Sequence, residues 1–195
     1  MGLKPNDQQY LDALKNLGIA EKLDPNRIEE DGIIIGCGDC DRVHEFLRWH
    51  KKLVRANGKE PRFHLILVNG GPLNFAWRWP WWHAWRLLQW IIFLINLMFL
   101  MGQIRGAILL KGLKRIIVVP HWPCGQGGLW GLDLKQAVEI VMRVVALLKR
   151  KFPDCEIVVR LHADKQVEWN TYHLCPRLYN QGKAVELLAP VELSA

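Results

Sequence analysis

The stretch GIIIGCGDCDR, residues 32–42, passes from an unbroken apolar run into two cysteines, two aspartates and an arginine. Ile33, Ile34 and Ile35 show no polar alternation. A strand reads this way when both of its faces are buried, as in a parallel sheet covered by helices on either side. The same kind of run recurs downstream. FHLILV (63–68) predicts a second strand, halted by Asn69, Gly70, Gly71 and Pro72. RIIVV (115–119), closed by Pro120, predicts a third, and CEIVVRLHA (155–163) a fourth.

Helical patterns separate these strands. One helix is predicted from about Asp41, with Val43, Phe46, Leu47 and Val54 on one side, ending near Gly58. Another runs from Leu134 to Lys151. Asp133 can cap it, Leu134, Val138, Val141, Val145 and Leu148 form its stripe, and Lys149, Arg150 and Lys151 sit where the helix dipole favours cations. Residues 7–22 read as an amphipathic helix capped by Asn6. Alternation of this kind predicts a single α/β domain over residues 1–195, with a mainly parallel central sheet of four or more strands flanked by helices. Functional groups are then expected at the carboxyl ends of the strands. Residues 1–28 form an N-terminal helical arm in this reading, and no internal repeat is present.

A chain of 195 residues that is 50% hydrophobic and 23% charged suits one globular domain. Its net charge of +7 is spread along the chain rather than gathered in a patch, which argues against a nucleic-acid partner. Five cysteines without regular spacing, behind a polar N-terminus with no export signal, point to reduced thiols and a cytoplasmic location. Gly2 does not make an acylation site, because position 6 is Asn6.

One segment departs from the pattern. Residues 76–110 form a tryptophan-rich apolar helical insert, with six of the ten tryptophans between Trp77 and Trp90. No charge occurs from Leu87 to Ile104, a length at the lower margin for crossing a bilayer. Gln89, Asn96 and Gln103 recur at seven-residue spacing and share one helix face, which is costly in lipid unless they are paired. The favoured reading is a buried or dimer-interface helix. Peripheral membrane contact through 77–104 is the alternative, ahead of a true span.

The chemistry gathers in two places. VVPHWPCGQGG (118–128) puts His121 and Cys124 just past the third strand, in H-x-x-C spacing, while Cys37 ends the first. Parallel strands present their carboxyl ends at one edge, so these distant residues can meet there. Two thiolates and an imidazole suit Zn²⁺, and three protein ligands leave a fourth position for water, whose proton is then lost near neutral pH. A rival reading adds Cys40 to give a closed Cys₃His structural site, although a helix starting near Asp41 directs Cys40 away from the ion. A redox pair of Cys37 and Cys40 is disfavoured by Asp39 and Asp41, which oppose thiolate formation. GCGDCD is also no dinucleotide loop, since Asp41 stands where a third glycine belongs.

Cys37-x-Asp39 after a first strand, followed by His121-x-x-Cys124-Gly125 after a later one, resembles the β-class carbonic anhydrases. The strand RFHLILVNGG is similar to that family's middle strand, and the resemblance covers roughly residues 30–165. It implies Cys37, His121 and Cys124 as zinc ligands, with hydration of carbon dioxide to bicarbonate by a zinc-bound hydroxide. Asp39 would accept a hydrogen bond from the zinc-bound water, or ligate the ion in a resting form. The family pattern is C-x-D-x-R; here Asp41 holds the arginine's place and Arg42 follows one residue later, where it would restrain Asp39. Relatives that hydrolyse carbonyl sulfide or carbon disulfide use the same scaffold and give the alternative substrates. The resemblance also implies a homodimer or higher oligomer.

The remaining candidates have plainer readings. His44 and His50 are read as solvated helix residues, His64 and His162 as core or rim residues, and His83 as a polar edge among tryptophans or a proton shuttle. Cys155 and Cys175 are read as buried, inert thiols. Gly125, Gly127 and Gly128 are expected to allow close backbone approach around the zinc loop and to offer N–H donors to an anion such as bicarbonate.

Overall fold

The structure is a computed structural model, and it describes residues 3–24, 26, 28–38, 40–68, 71–75, 86–165 and 168–183. Asp39 and residues 76–85 of the tryptophan-rich insert, His83 among them, lie outside the described residues. So do the side chains of residues 40–45, 86–93 and 96, and with them Gln89 and Asn96 of the expected amide stripe.

The apolar runs become the parallel heart of a seven-stranded sheet. Its strands are β1 (Ala20–Lys22), β2 (Asp31–Cys37), β3 (Arg62–Val68), β4 (Arg115–Val119), β5 (His121–Trp122), β6 (Glu156–Lys165) and β7 (Glu168–Leu174). The order is β1-β7-β6-β4-β2-β3, with β5 beside β6. β3, β2, β4 and β6 run parallel, while β7 returns antiparallel to β6 and β1 pairs antiparallel with β7. In the central register Ile33 lies opposite both His64 and Ile116, and Ile35 opposite both Ile66 and Val118. The α/β architecture with a mainly parallel sheet is therefore present.

Strand geometry explains the continuous apolar run in β2. Successive side chains point to opposite faces. Ile33, Ile35 and Cys37 enter the larger core with Ile116 and Val118, whereas Ile34 joins Ile117 and Val119 on the other face. The larger core is covered by α1 (Pro5–Asn16), α3 (Arg86–Lys111) and α5 (Leu134–Lys151), through Leu11, Leu14, Leu100, Ile104, Leu134 and Val141. The smaller one is covered by α2 (Cys40–Ala56), through Phe46 and Leu47. Each fully buried aliphatic side chain contributes about 1.5–3 kcal/mol relative to exposure, so a strand with two apolar faces is held from both sides.

The helix termini follow their local chemistry. In α5 the Asp133 carboxylate accepts the Gln136 N–H at 2.7 Å, and the Gln136 side chain accepts the Asp133 N–H at 3.2 Å, a complete capping box. α1 differs from expectation. It begins at Pro5 behind Lys4 rather than at an Asn6 cap, because proline at the first position supplies a preset φ and needs no N–H partner. It also stops at Asn16 instead of Lys22. Gly18 adopts φ +66° and turns the chain, and Ala20, Glu21 and Lys22 then pair with Leu174, His173 and Tyr172.

The smaller face carries a buried polar group. Arg160 of β6 donates through Nε to Glu29 at 3.2 Å and through its terminal nitrogen to the second carboxylate oxygen. Both residues are buried. His50 is fully buried as well, rather than solvated. Its Nε2 lies 2.8 Å from the Glu29 carbonyl oxygen, and its ring meets Phe63 edge-on at 4.9 Å.

Candidate metal centre

Three elements bring the chemistry to one point. Cys37 is the last residue of β2, His121 opens β5 two residues past β4, and Cys124 immediately precedes the short helix α4 (Gly125–Leu129). One ligand-type atom from each lies within 4.8 Å of the other two, and all three side chains are buried. Among the described residues no other group of this kind occurs. Residues separated by more than eighty positions thus meet at the carboxyl edge of adjacent parallel strands.

The turn after β3 sets the position of Cys37. Gly38 donates its N–H to the Val68 carbonyl at 2.8 Å, which extends the β2–β3 ladder one step past the thiol. Gly71 opens a 3-10 turn (Gly71–Phe75) at φ +52°, against the backbone of Gly36 and Cys37. A Cβ on Gly71 would lie 2.7 Å from the Cys37 nitrogen. Only glycine permits both the left-handed conformation and that approach.

The His121–Cys124 loop is held through its tryptophan. Trp122 is buried, and the Trp122–Pro123 peptide is cis. The indole rests against Gly127, where a Cβ would come within 2.7 Å of the ring. Gly127 therefore meets the expectation of close backbone approach, whereas Gly125 and Gly128 face open space.

The electrostatics suit a cation. Both ring nitrogens of His121 are buried without a hydrogen-bond partner, a costly state for an imidazole that nothing ligates. The Cys124 thiol is pushed far up from its ordinary pKa, first by its hydrogen bond with the Cys37 thiol and then by burial. The N–H groups of Gly127 and Gln126 at the start of α4 pull the other way. Two adjacent sulfurs resist becoming thiolates together unless a positive charge stands between them. An unpartnered imidazole beside two such thiols is a donor set that fits a thiophilic divalent ion.

Two small pockets flank the cluster. One, of about 10 Å³, is lined by Cys37, His121, Trp122, Cys124 and Leu134, and is at the threshold for holding a single water. The other, of about 20 Å³, lies on the α2 side and is lined by Cys37 and His121 together with Ile34, Phe46, Leu47 and Val119. His162 also lines it. Its Nδ1 lies 3.0 Å from the Thr171 hydroxyl, and its position opposite His121 in the β5–β6 register matches the core role expected of it.

The other candidates are dispersed. His64 is half-buried beside Lys111, with its Nδ1 3.1 Å from the lysine nitrogen. Cys155 and Cys175 are half-buried rather than fully enclosed. The backbone of Cys40 and Arg42 belongs to the first turn of α2. Asp7, which sequence reasoning did not single out, reaches this region from α1. It is buried and accepts hydrogen bonds from the Trp122 indole and the Leu134 N–H, both at 2.9 Å. Nothing in its spacing announced this, since its partners are 115 and 127 residues away.

No protein-family model matches the chain, and none of the curated proteins matches it either. Among solved structures, a mutant of the β-carbonic anhydrase CafD from the filamentous fungus Aspergillus fumigatus is similar at a TM-score of 0.40 and 11% identity, over 80% of this chain and 98% of that one. The carbonic anhydrase of Streptococcus mutans is similar at a TM-score of 0.34 and 15% identity, over 88% of this chain and 99% of that one. Likenesses of this strength leave the chemistry to be argued from the site itself.

Proposed function

We propose that this chain is a zinc-dependent enzyme that hydrates carbon dioxide to bicarbonate, with Cys37, His121 and Cys124 holding the ion. The observation that carries this reading is the pair of unpartnered, buried ring nitrogens on His121 beside two sulfurs. Bound zinc supplies Lewis acidity, lowering the pKa of a water toward neutrality.

The chain's own residues do the rest. Cys37 and Cys124, as thiolates, balance the ion's charge, and His121 completes a set of three that leaves room for reactants. Asp39, two residues past Cys37, is assigned to orient the attacking water, and Arg42 to restrain Asp39. Ile34, Phe46, Leu47 and Val119 make an apolar wall beside Cys37 and His121, which suits a small, linear, uncharged molecule. Excluding bulk water there strengthens each electrostatic contact.

The chain acts as one domain in a reducing, cytoplasmic setting, and as a homodimer. α3 supports the dimer, because Ile95, Met98, Phe99, Leu109 and Leu110 on it are exposed, more apolar surface than an isolated soluble helix ordinarily leaves open. Among the described residues no helix is long and apolar enough to cross a membrane.

Stopped-flow hydration of carbon dioxide by zinc-loaded protein tests the activity, with Cys124→Ala as control and carbonyl sulfide as competing substrate. A rate no higher than the control's on either substrate ends the proposal. Turnover of carbonyl sulfide alone moves the substrate assignment.

A further inference from the structure

Asp7 stands apart from the residues that line the candidate site, yet it bonds to two of them. Its Oδ2 accepts the Trp122 Nε1–H at 2.9 Å and its Oδ1 accepts the Leu134 N–H at 2.9 Å. Trp122 lies between His121 and the Pro123–Cys124 pair, and Leu134 is the first helical residue of α5. Both line the pocket that also contains Cys37, His121 and Cys124. A buried carboxylate is tolerated only where its oxygens are bonded, and here one oxygen holds each wall of that pocket. The Leu134 N–H is one of the donors that a helix start leaves without an intrahelical partner, so the contact also suits the α5 dipole.

We propose that Asp7 is a positioning residue for the metal-binding loop: it fixes the indole of Trp122, and through that side chain the spacing of His121 and Cys124. This rests on the zinc reading of the Cys37–His121–Cys124 cluster. With the indole held by Asp7 on one side and by Gly127 on the other, Trp122 has no room to pivot, and the loop presents its two ligand residues in one arrangement. The N-terminal helix is thereby part of the site rather than a separate arm. Groups that orient metal ligands from behind typically change metal affinity about 10- to 100-fold when removed.

The test uses the full chain, with zinc affinity read by competition with a chromophoric chelator and ligand geometry read from the thiolate-to-cobalt absorption of the Co²⁺-substituted protein. Asp7→Asn leaves one acceptor oxygen for two donors, so either the Trp122 indole N–H or the Leu134 N–H loses its partner and faces an amide N–H₂. Trp122→Phe removes the indole donor and leaves the Asp7–Leu134 bond in place. Each substitution should weaken zinc binding at least about tenfold and shift the cobalt bands, and in the double variant the losses should not add. If Asp7→Asn does not fold, Trp122→Phe alone decides. Unchanged affinity and an unchanged cobalt spectrum in Trp122→Phe, while His121→Ala abolishes binding, overturn the role of Asp7 and leave the zinc site standing. A lowered melting temperature without spectral change assigns Asp7 to α5 stability only and overturns it too. A wild-type protein that takes up no zinc removes the cluster reading, and this inference with it.

Discussion

Gly71→Ala isolates the contact that places Cys37. Two costs apply. Alanine at φ +52° pays about 1–2 kcal/mol for the left-handed region. Its Cβ would also lie 2.7 Å from the Cys37 nitrogen and 2.9 Å from the Gly36 carbonyl carbon, both backbone atoms that cannot rotate away. Relieving that overlap adds about 1–3 kcal/mol of overpacking, so the total is about 2–5 kcal/mol. Gly18→Ala is the matched control, with φ +66° and nothing within 4 Å of its added Cβ, so it pays only the conformational cost. Urea unfolding measures stability, and chelator competition measures zinc affinity. Gly71→Ala should be the less stable by about 1–3 kcal/mol and should bind zinc more weakly, while Gly18→Ala leaves zinc affinity at the wild-type value. Equal stability and equal zinc affinity in the two variants would refute the close-approach reasoning.

Other outcomes follow from the same geometry. Cys40→Ser should retain zinc and fold, because three ligands suffice; loss of zinc with unfolding would establish a closed Cys₃His site instead. Burial holds His50 below its ordinary pKa, and burial together with Arg160 does the same for His173. With folded values below the unfolded value of about 6.5, both contribute stability above pH 6.5 that is lost as pH falls from there through the folded values. Urea unfolding between pH 8 and pH 5 should show that slope, and His50→Gln should flatten it; parallel curves contradict the assignment. Met98→Glu on the exposed face of α3 should convert a dimer to a monomer in sedimentation velocity, and an unchanged mass removes α3 from the interface.

The two central strands were legible because burial on both faces favours an unbroken apolar run, which Ile33–Ile35 and Ile116–Val119 supply. β3 carries a similar run at the sheet edge, with Leu65 and Leu67 exposed. α5 was legible to its cap for a similar reason, its stripe and its Asp133 signal pointing to one element. β1 and β7 were not. β1 has three residues, and β7 mixes Asn170, Thr171 and His173 among its apolar residues, so their pairing rests on backbone hydrogen bonds that composition does not encode. His50 was misread despite an available signal. It falls four residues after Phe46 and four before Val54, on the buried stripe of α2 rather than its wet side. At the site, strand order alone brought Cys37, His121 and Cys124 to one edge. The supports behind them, Gly71 and Asp7, depend on approaches between distant segments that no spacing records.

The most direct test of the central claim is X-ray absorption at the zinc K-edge of protein loaded with one equivalent of the metal. An open Cys37–His121–Cys124 site predicts two sulfurs at about 2.3 Å and a first shell completed by nitrogen and oxygen at about 2.0–2.1 Å, with one sulfur remaining in Cys124→Ala. Three sulfurs in the shell, or an unchanged spectrum in Cys124→Ala, would contradict it.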